Sequence, residues 1–364
     1  MSALPVGPRF LLFAAAVVGV GAAAALATIL SDPYTSADAD IYYTIPAAFL
    51  AGSVLFTGFA LVERGSVQLG WATVALAVFG FVVLTYSIWE YDLSGYDSFW
   101  IGIITLVTAQ VASWAFLVAR SRPATLLAAG AALVTCAAGF VSLVGAFDHD
   151  PFWRVGTPIT TLWILALLAA FLVPVVDRMR GANVFWPVVG VALSAVALTG
   201  LYALNNGEFA PDGYSITFTA IAAWLGGSAF VAALVLAERS RSLISWLALC
   251  AAPLGLAMIV DAIWEDSVDR YRWLATGIAL VAALLVSVAA RLVARVPMAV
   301  LVAGGAGAAA GVAAAVAIAD AWGDRPTLEL TRTSTAFWII AVAGFFLVPV
   351  VDRLASQLVR REPV

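Results

Sequence analysis

Twelve apolar stretches, each long enough to cross a bilayer, constrain this chain more than any other feature. A hydrocarbon core about 30 Å thick needs roughly 20 apolar residues per spanning helix. Hydrophobic residues make up 63% of the 364 residues and charged residues 11%, too few charges to cover a surface facing water. The sequence therefore predicts an all-α, polytopic membrane protein with about 12 transmembrane helices. The stretches lie near residues 9–30, 42–62, 68–89, 98–119, 124–146, 157–176, 184–204, 215–237, 243–264, 272–293, 297–319 and 333–351.

A duplication divides the chain into two halves. Residues 170–178 recur at 345–353 with eight of nine residues identical, at an offset of 175. The same offset aligns Glu63-Arg64 with Glu238-Arg239 without a gap. A fixed offset that joins separate motifs is the signature of an internal repeat. We predict two parallel six-helix repeats, residues 1–180 and 181–364.

A shorter repeat divides each half again. Six of the apolar stretches end in similar basic tails, which read LVER, LVAR and VVDR in the first half and LAER, LVAR and VVDR in the second. The tail arginines are Arg64, Arg120, Arg178, Arg239, Arg295 and Arg353. Their even spacing predicts three helical hairpins in each half.

The charges sort by side of the membrane. Thirteen of the 18 arginines, but only five of the 22 acids, fall in loops on the side of the N-terminus. Because positive loops remain in the cytoplasm, we predict a multi-pass plasma-membrane protein with N- and C-termini both cytoplasmic. The chain has no lysine, a composition typical either of a halophile or of GC-rich codon usage.

Acidic residues cluster at two predicted hairpin tips on the opposite side. Each tip pairs a tryptophan with carboxylates, and Asp261 precedes one tip by about one helical turn. These residues form either an external acidic rim that concentrates cations or solvated loop acids beside interfacial aromatic residues. The rim comprises Glu90, Asp92, Asp261, Glu265 and Asp266.

The most literal repeat, Pro-Val-Val-Asp-Arg, is a candidate cytoplasmic hinge. A proline near a helix end frees a backbone carbonyl and bends the axis. The alternative is a basic helix end that sets topology, with the aspartate as its counter-ion. The residues are Pro174, Asp177, Arg178, Pro349, Asp352 and Arg353.

Uncharged polar residues within the stretches are candidates to line a path through the membrane. Gln110 has Leu285 at its repeat position, so such a path would be asymmetric. The candidates are Thr105, Thr108, Gln110, Ser113, Thr160, Thr161 and Thr335. Separately, Gly307 and Gly311 have the spacing that lets two membrane helices approach closely.

No catalytic, cofactor or metal site is apparent. The single histidine, His149, lies between two loop aspartates, and Cys136 and Cys250 lie within apolar stretches. Metal sites draw on several spaced ligands, and phosphate-binding, nucleophile-elbow and zinc-protease motifs are missing. Charged residues are absent from the middle of the stretches, which argues against a proton-coupled carrier. We expect no enzyme, no cofactor and no nucleic-acid partner.

Two functional hypotheses remain. The first is a membrane scaffold or accessory subunit whose partners are membrane lipids and other membrane proteins. The second is a transporter or channel for a neutral or lipid-like small solute, with a path between the two repeats.

Overall fold

Every secondary-structure element in the described part of the chain is helical. The computed structural model describes residues 37–89, 95–147, 156–179, 213–240, 243–264, 269–323 and 328–359, with most of 18–29 and parts of 186–201. Ten helices have defined bounds: α1 Ala37–Glu63, α2 Val67–Trp89, α3 Gly95–Val118, α4 Arg122–Phe147, α5 Gly156–Arg178, α6 Gly213–Ser240, α7 Leu243–Trp264, α8 Arg270–Val293, α9 Pro297–Trp322 and α10 Leu328–Val359.

All ten helices are long and apolar enough to cross a membrane. The described residues within 18–29 and 186–201 are also helical, and they fall in the first and seventh apolar stretches. The prediction of an all-α membrane protein with about 12 helices is confirmed. One boundary differs clearly, because α10 continues to Val359 instead of ending near residue 351. Beyond that point the Ser356 hydroxyl donates to the Asp352 carbonyl at 2.6 Å, within the same helix.

Local signals explain several helix ends. Gly65, just after α1, has a φ of +91°, a left-handed conformation that glycine adopts readily at a helix C-terminus. Its N–H donates to the Val62 carbonyl at 3.0 Å. At its N-terminus, α9 begins with Pro297, where the missing N–H of proline costs no helical hydrogen bond.

The described chain forms two compact units. Among the described residues, unit 1 comprises those from Pro46 to Trp224, and unit 2 comprises those within 18–45 and those from Leu225 to Val359. These packing units and the sequence repeats divide the chain differently. The helical residues within 18–29 belong to unit 2, where Ile29 packs with Ile339 of α10. Those within 186–201 belong to unit 1, where Gly190 lies against Val175 of α5.

Unit 1 has inner and outer helices. Helix α3 packs against α2, α4 and α5. In the membrane-spanning segment of each helix, 56% of the residues are buried in both α3 and α5, against 28% in α2 and 33% in α4. The outer helices α2 and α4 expose large apolar side chains, among them Trp71, Phe79, Leu133 and Phe140. Apolar exposure of this extent on helices of spanning length is what a lipid environment requires.

Unit 2 repeats this order. Helix α8 packs against α7, α9 and α10. Helices α7 and α9 expose large apolar side chains, including Trp246, Leu254, Met298 and Leu301. In both units, the helices that end in a basic tail are therefore the inner ones.

Glycines bring helices into backbone contact at equivalent places in the two units. A Cβ added to Gly102 of α3 would lie 3.0 Å from the Gly80 carbonyl oxygen of α2. A Cβ added to Gly277 of α8 would lie 2.8 Å from the Gly255 carbonyl oxygen of α7. Both residues of each pair are related by the offset of 175, and small residues at a crossing permit this approach.

The predicted close contact in α9 is present at only one of its two glycines. Gly307 packs against Ser287 of α8, where an added Cβ would lie 3.1 Å from the hydroxyl oxygen. At Gly311, an added Cβ would have no described atom within 4 Å. The two glycines are four residues apart and only about 40° apart round the helix, so the close approach to α8 is confined to the level of Gly307.

Candidate functional site

The turn between α3 and α4 is held on its carbonyl side by an arginine from another helix. Arg64 follows the end of α1, and its Nη1 donates a hydrogen bond to the Leu117 carbonyl oxygen in the last turn of α3. The last carbonyls of a helix have no partner within the helix and carry the negative end of its dipole. A guanidinium satisfies both the hydrogen bond and the charge.

The same turn is held on its N–H side by an aspartate. Asp177 lies in the last turn of α5, and its Oδ1 accepts a hydrogen bond of 2.7 Å from the Ser121 N–H. Ser121 immediately precedes α4, so the carboxylate lies at the positive end of that helix dipole. We call Arg64, Leu117, Ser121 and Asp177 the first clasp.

Unit 2 contains an equivalent second clasp. The Arg239 Nη1 donates to the Leu292 carbonyl oxygen at 3.1 Å. The Asp352 Oδ1 accepts hydrogen bonds from the N–H groups of Arg295 at 2.6 Å and Val296 at 3.0 Å. Each of these groups stands 175 residues after a member of the first clasp or next to such a position. The second carboxylate therefore satisfies one more backbone donor than the first.

The tail sequences explain why the middle turn receives both side chains. The first and third tails of each half carry an acid before the arginine, whereas the middle tails carry Ala119 and Ala294. The middle turn consequently has no carboxylate beside its own arginine, and a neighbouring inner helix supplies one. Sequence reasoning singled out the two aspartates but missed Arg64 and Arg239 as their counterparts. The alternation of acid and alanine in the tails was the available signal.

The predicted hinge residues take part in these helix ends. Pro174 and Pro349 lie inside α5 and α10, and neither helix is interrupted there. Arg178 donates from Nη1 to the Pro174 carbonyl oxygen at 3.3 Å and lies 4.8 Å from the ring centre of Trp186. Arg353 is half-buried in α10. The structure brings the aspartates to the neighbouring turn, and the hinge itself remains a prediction.

The predicted path-lining residues of α3 lie on different faces of that helix. In α3, Thr108 packs against Gly139 of α4, whereas Gln110 lies about 160° away round the helix. Ser113 is buried and its hydroxyl donates within α3 to the Ala109 carbonyl at 2.5 Å. Thr108 and Gln110 therefore do not share one face.

The remaining path candidates lie elsewhere in the bundle. Thr105 is half-buried in α3, and Thr160 and Thr161 are half-buried near the start of α5. Thr335 is buried in α10, where its hydroxyl donates to the Thr331 carbonyl at 2.7 Å. The path itself remains a prediction.

Most of the predicted acidic rim lies outside the described residues. Asp261 is exposed in α7, while Glu90, Asp92, Glu265 and Asp266 are not described. His149 is outside the described residues too. Within the described ranges, no group of three or more His, Cys, Asp or Glu side chains is placed to hold a metal ion.

Unit 2 also has an arginine–aromatic cluster at the end opposite its clasp. Arg272 forms an ion pair of 3.0 Å with Asp269, and its guanidinium carbon lies 5.7 Å from the ring centre of Trp322. The Trp322 indole N–H donates to the Thr276 hydroxyl at 2.9 Å. Trp273 packs edge-on against Trp322 with ring centres 5.1 Å apart. The repeat positions in the first half hold Asp97, Ser98 and Phe147 in place of Arg272, Trp273 and Trp322, so the arginine and both indoles of this cluster are particular to the second half.

The fold and the clasps define a multi-pass helical membrane protein. Comparisons of the chain with protein-family models, with curated proteins and with solved structures find no match.

Proposed function

We propose that this chain is a non-enzymatic membrane scaffold or accessory subunit. The observation that carries the proposal is the pair of clasps, which tie inner helices to a neighbouring turn at one end of each unit. Each clasp uses charged side chains on backbone groups, and such hydrogen bonds are about twice as strong as neutral ones. Fixed helix ends suit a protein that presents its helices to partners.

The outer helices supply the surface for those partners. Their exposed apolar side chains are suited to membrane lipids and to the helices of other membrane proteins, and to no nucleic acid. Charged residues of the ten described helices lie near the helix ends rather than at mid-span. An enzyme or ion-coupled carrier in the membrane normally places an ionisable group there.

The proposed setting is the plasma membrane with both termini in the cytoplasm. Support comes from the arginine-rich tails, because positively charged loops are retained on the cytoplasmic side. Within each unit, the clasp joins helix ends that carry these tails. The clasps are then at the cytoplasmic ends of the inner helices.

The alternative function, a transporter for a neutral or lipid-like solute, would require the clasps to open and close. Alternating access moves one group of helices against another, so a clasp at a cytoplasmic gate would have to open in every cycle. A scaffold leaves the clasps closed.

A covalent link across the first clasp distinguishes the scaffold hypothesis from the transporter hypothesis. The substitutions Ser121→Cys and Asp177→Cys, in a background with Cys136→Ala and Cys250→Ala, allow a disulfide to replace the hydrogen bond. We expect native mass spectrometry in mild detergent to detect a partner at fixed ratio across several expression levels, with or without the disulfide. Vesicles containing the protein should be no more permeable to glycerol or sucrose than empty vesicles. Solute flux that the disulfide abolishes and reduction restores would overturn the proposal.

A further inference from the structure

Gln110 is a buried polar side chain that the fold does not require. It is 7% exposed in the inner helix α3, and its Oε1 is buried without a hydrogen-bond partner. An amide buried in apolar surroundings without a partner is unfavourable by several kcal/mol in small-molecule transfer. The equivalent inner helix α8 has a half-buried Leu285 at the matching position, so the repeated helix also accepts an apolar side chain there.

The amide faces neither of the outer helices that flank α3. Gly102 marks the face towards α2 and Thr108 the face towards α4, by their contacts with Gly80 and Gly139. At 100° per residue, Gln110 lies about 80° from the first direction and about 160° from the second. Its face is therefore separate from the two outer-helix contacts.

Aromatic rings lie one helical turn further along the same face. Trp114 is four residues after Gln110, a rotation of about 40°. Its ring centre is 5.8 Å from that of Phe171 in α5 and 5.3 Å from that of Trp224 in α6. The rings of Phe171 and Trp224 are stacked at 5.5 Å, and Trp224 is 4% exposed.

The second half lacks both distinguishing residues. Gln110 and Trp114 correspond to Leu285 and Ala289 at the offset of 175. One polar acceptor beside several aromatic rings is the usual composition of a small-molecule site. Because duplicated helices began alike, a polar and an aromatic residue confined to one face of one copy indicate a role beyond packing.

We propose that Gln110, Trp114, Phe171 and Trp224 form a binding site for a neutral, membrane-soluble molecule with a hydroxyl group. The hydroxyl donates to the Gln110 Oε1, and the apolar body of the molecule packs on the aromatic rings. A charged ligand does not fit, since the four side chains offer no opposite charge. This inference is independent of the scaffold proposal, because a resident lipid-like ligand is compatible with either function.

The test uses a ligand pair that differs in one donor. A long-chain isoprenoid alcohol and its methyl ether are titrated into the full-length protein in detergent, and the thermal unfolding midpoint is followed. The alcohol should raise the midpoint of the wild type, with an affinity about tenfold above that of the ether, as expected for one hydrogen bond. Gln110→Leu, which restores the residue of the second half, should abolish this tenfold preference and leave the ligand-free protein folded.

Two controls keep the outcome unambiguous. Thr108→Ala, on the opposite face of α3, should leave the preference for the alcohol unchanged. Trp114→Ala should lower the affinity for both the alcohol and the ether, because each loses its contact with the indole ring. Equal midpoint shifts with the alcohol and the ether in the wild type would overturn the proposal, as would an unchanged preference in Gln110→Leu. Either result would mean that the amide is unpartnered or hydrated only.

Discussion

Asp352 and Val296 are 56 residues apart in sequence and meet through a hydrogen bond of 3.0 Å from the Val296 N–H to the Asp352 Oδ1. The same oxygen accepts the N–H of Arg295. One carboxylate oxygen thus satisfies two backbone donors at the start of α9, where the helix dipole favours negative charge. The last inner helix of unit 2 is thereby joined to the turn between its two neighbours.

Removing this carboxylate should destabilise the protein. Asp352→Ala leaves two backbone donors without their partner, and we expect a loss of about 2 kcal/mol, typical of losing a charged helix cap. Asp352→Asn retains an acceptor and should lose less. The measurement is the free energy of unfolding, or the thermal midpoint where unfolding is irreversible.

The first clasp provides a graded comparison for this prediction. Asp177 accepts one such bond and is more exposed than Asp352, so Asp177→Ala should cost less than Asp352→Ala. Asp261→Asn, at an exposed position of α7, is the matched control and should be neutral. If the control were as destabilised as Asp352→Asn, the clasp would have no special role.

The glycine crossings should tolerate no larger residue. In Gly102→Ala, the new Cβ would lie 2.8 Å from the Leu84 Cβ and 2.9 Å from its backbone nitrogen. Since backbone cannot move aside as a side chain can, α2 and α3 would have to separate, at a cost of about 1–3 kcal/mol. The thermal midpoint measures the effect.

A control for the crossings lies on a surface that nothing described touches. Gly130 of α4 has no atom within 4 Å of an added Cβ, and Gly130→Ala should be neutral or slightly stabilising because alanine favours helix. The prediction fails if Gly102→Ala and Gly130→Ala shift the midpoint in the same direction by the same amount.

A buried indole in unit 1 depends on one hydroxyl. The Trp163 Nε1 donates to the Ser142 Oγ at 3.0 Å, joining α5 to α4. Ser142→Ala would leave that N–H unpaired in an apolar setting, which costs about 1–3 kcal/mol. Ser113→Ala removes only a bond within its own helix and should cost much less. Comparable losses in the two variants would show that the bond between helices contributes little.

The length of each apolar stretch predicted the helices, because a segment that spans the membrane must satisfy its own backbone hydrogen bonds. That constraint acts locally, so a single sequence reveals it. The end of α10 departed from the prediction because the charged pair Asp352-Arg353 ends the apolar stretch, whereas the helix continues past that pair to Val359.

The clasps were predictable only in part. Asp177 and Asp352 stood out as the most literal repeat, but their acceptor atoms bond to backbone N–H groups about 56 residues away. Backbone groups look alike at every position of a sequence, so the partners could not be chosen without coordinates. The direction in which Gln110 faces could not be predicted from the sequence either, since it depends on which helices flank α3.

Membrane orientation can be tested with single cysteines in a background lacking Cys136 and Cys250. Ser66→Cys lies in the turn between α1 and α2, and Tyr271→Cys lies near the start of α8, at an exposed position. In intact cells, an impermeant maleimide should label Tyr271→Cys and should reach Ser66→Cys only after lysis. Labelling of both from outside would reverse or reject the proposed orientation.

Hydrogen exchange at the clasps tests the central claim, that these helix ends stay closed, most directly. In lipid nanodiscs at equilibrium, amides 295 and 296 should exchange about a hundredfold more slowly than an open turn, and Asp352→Ala should remove this protection. Rapid exchange in the wild type, equal to that of the variant, would mean that the clasp opens freely and would contradict the scaffold account.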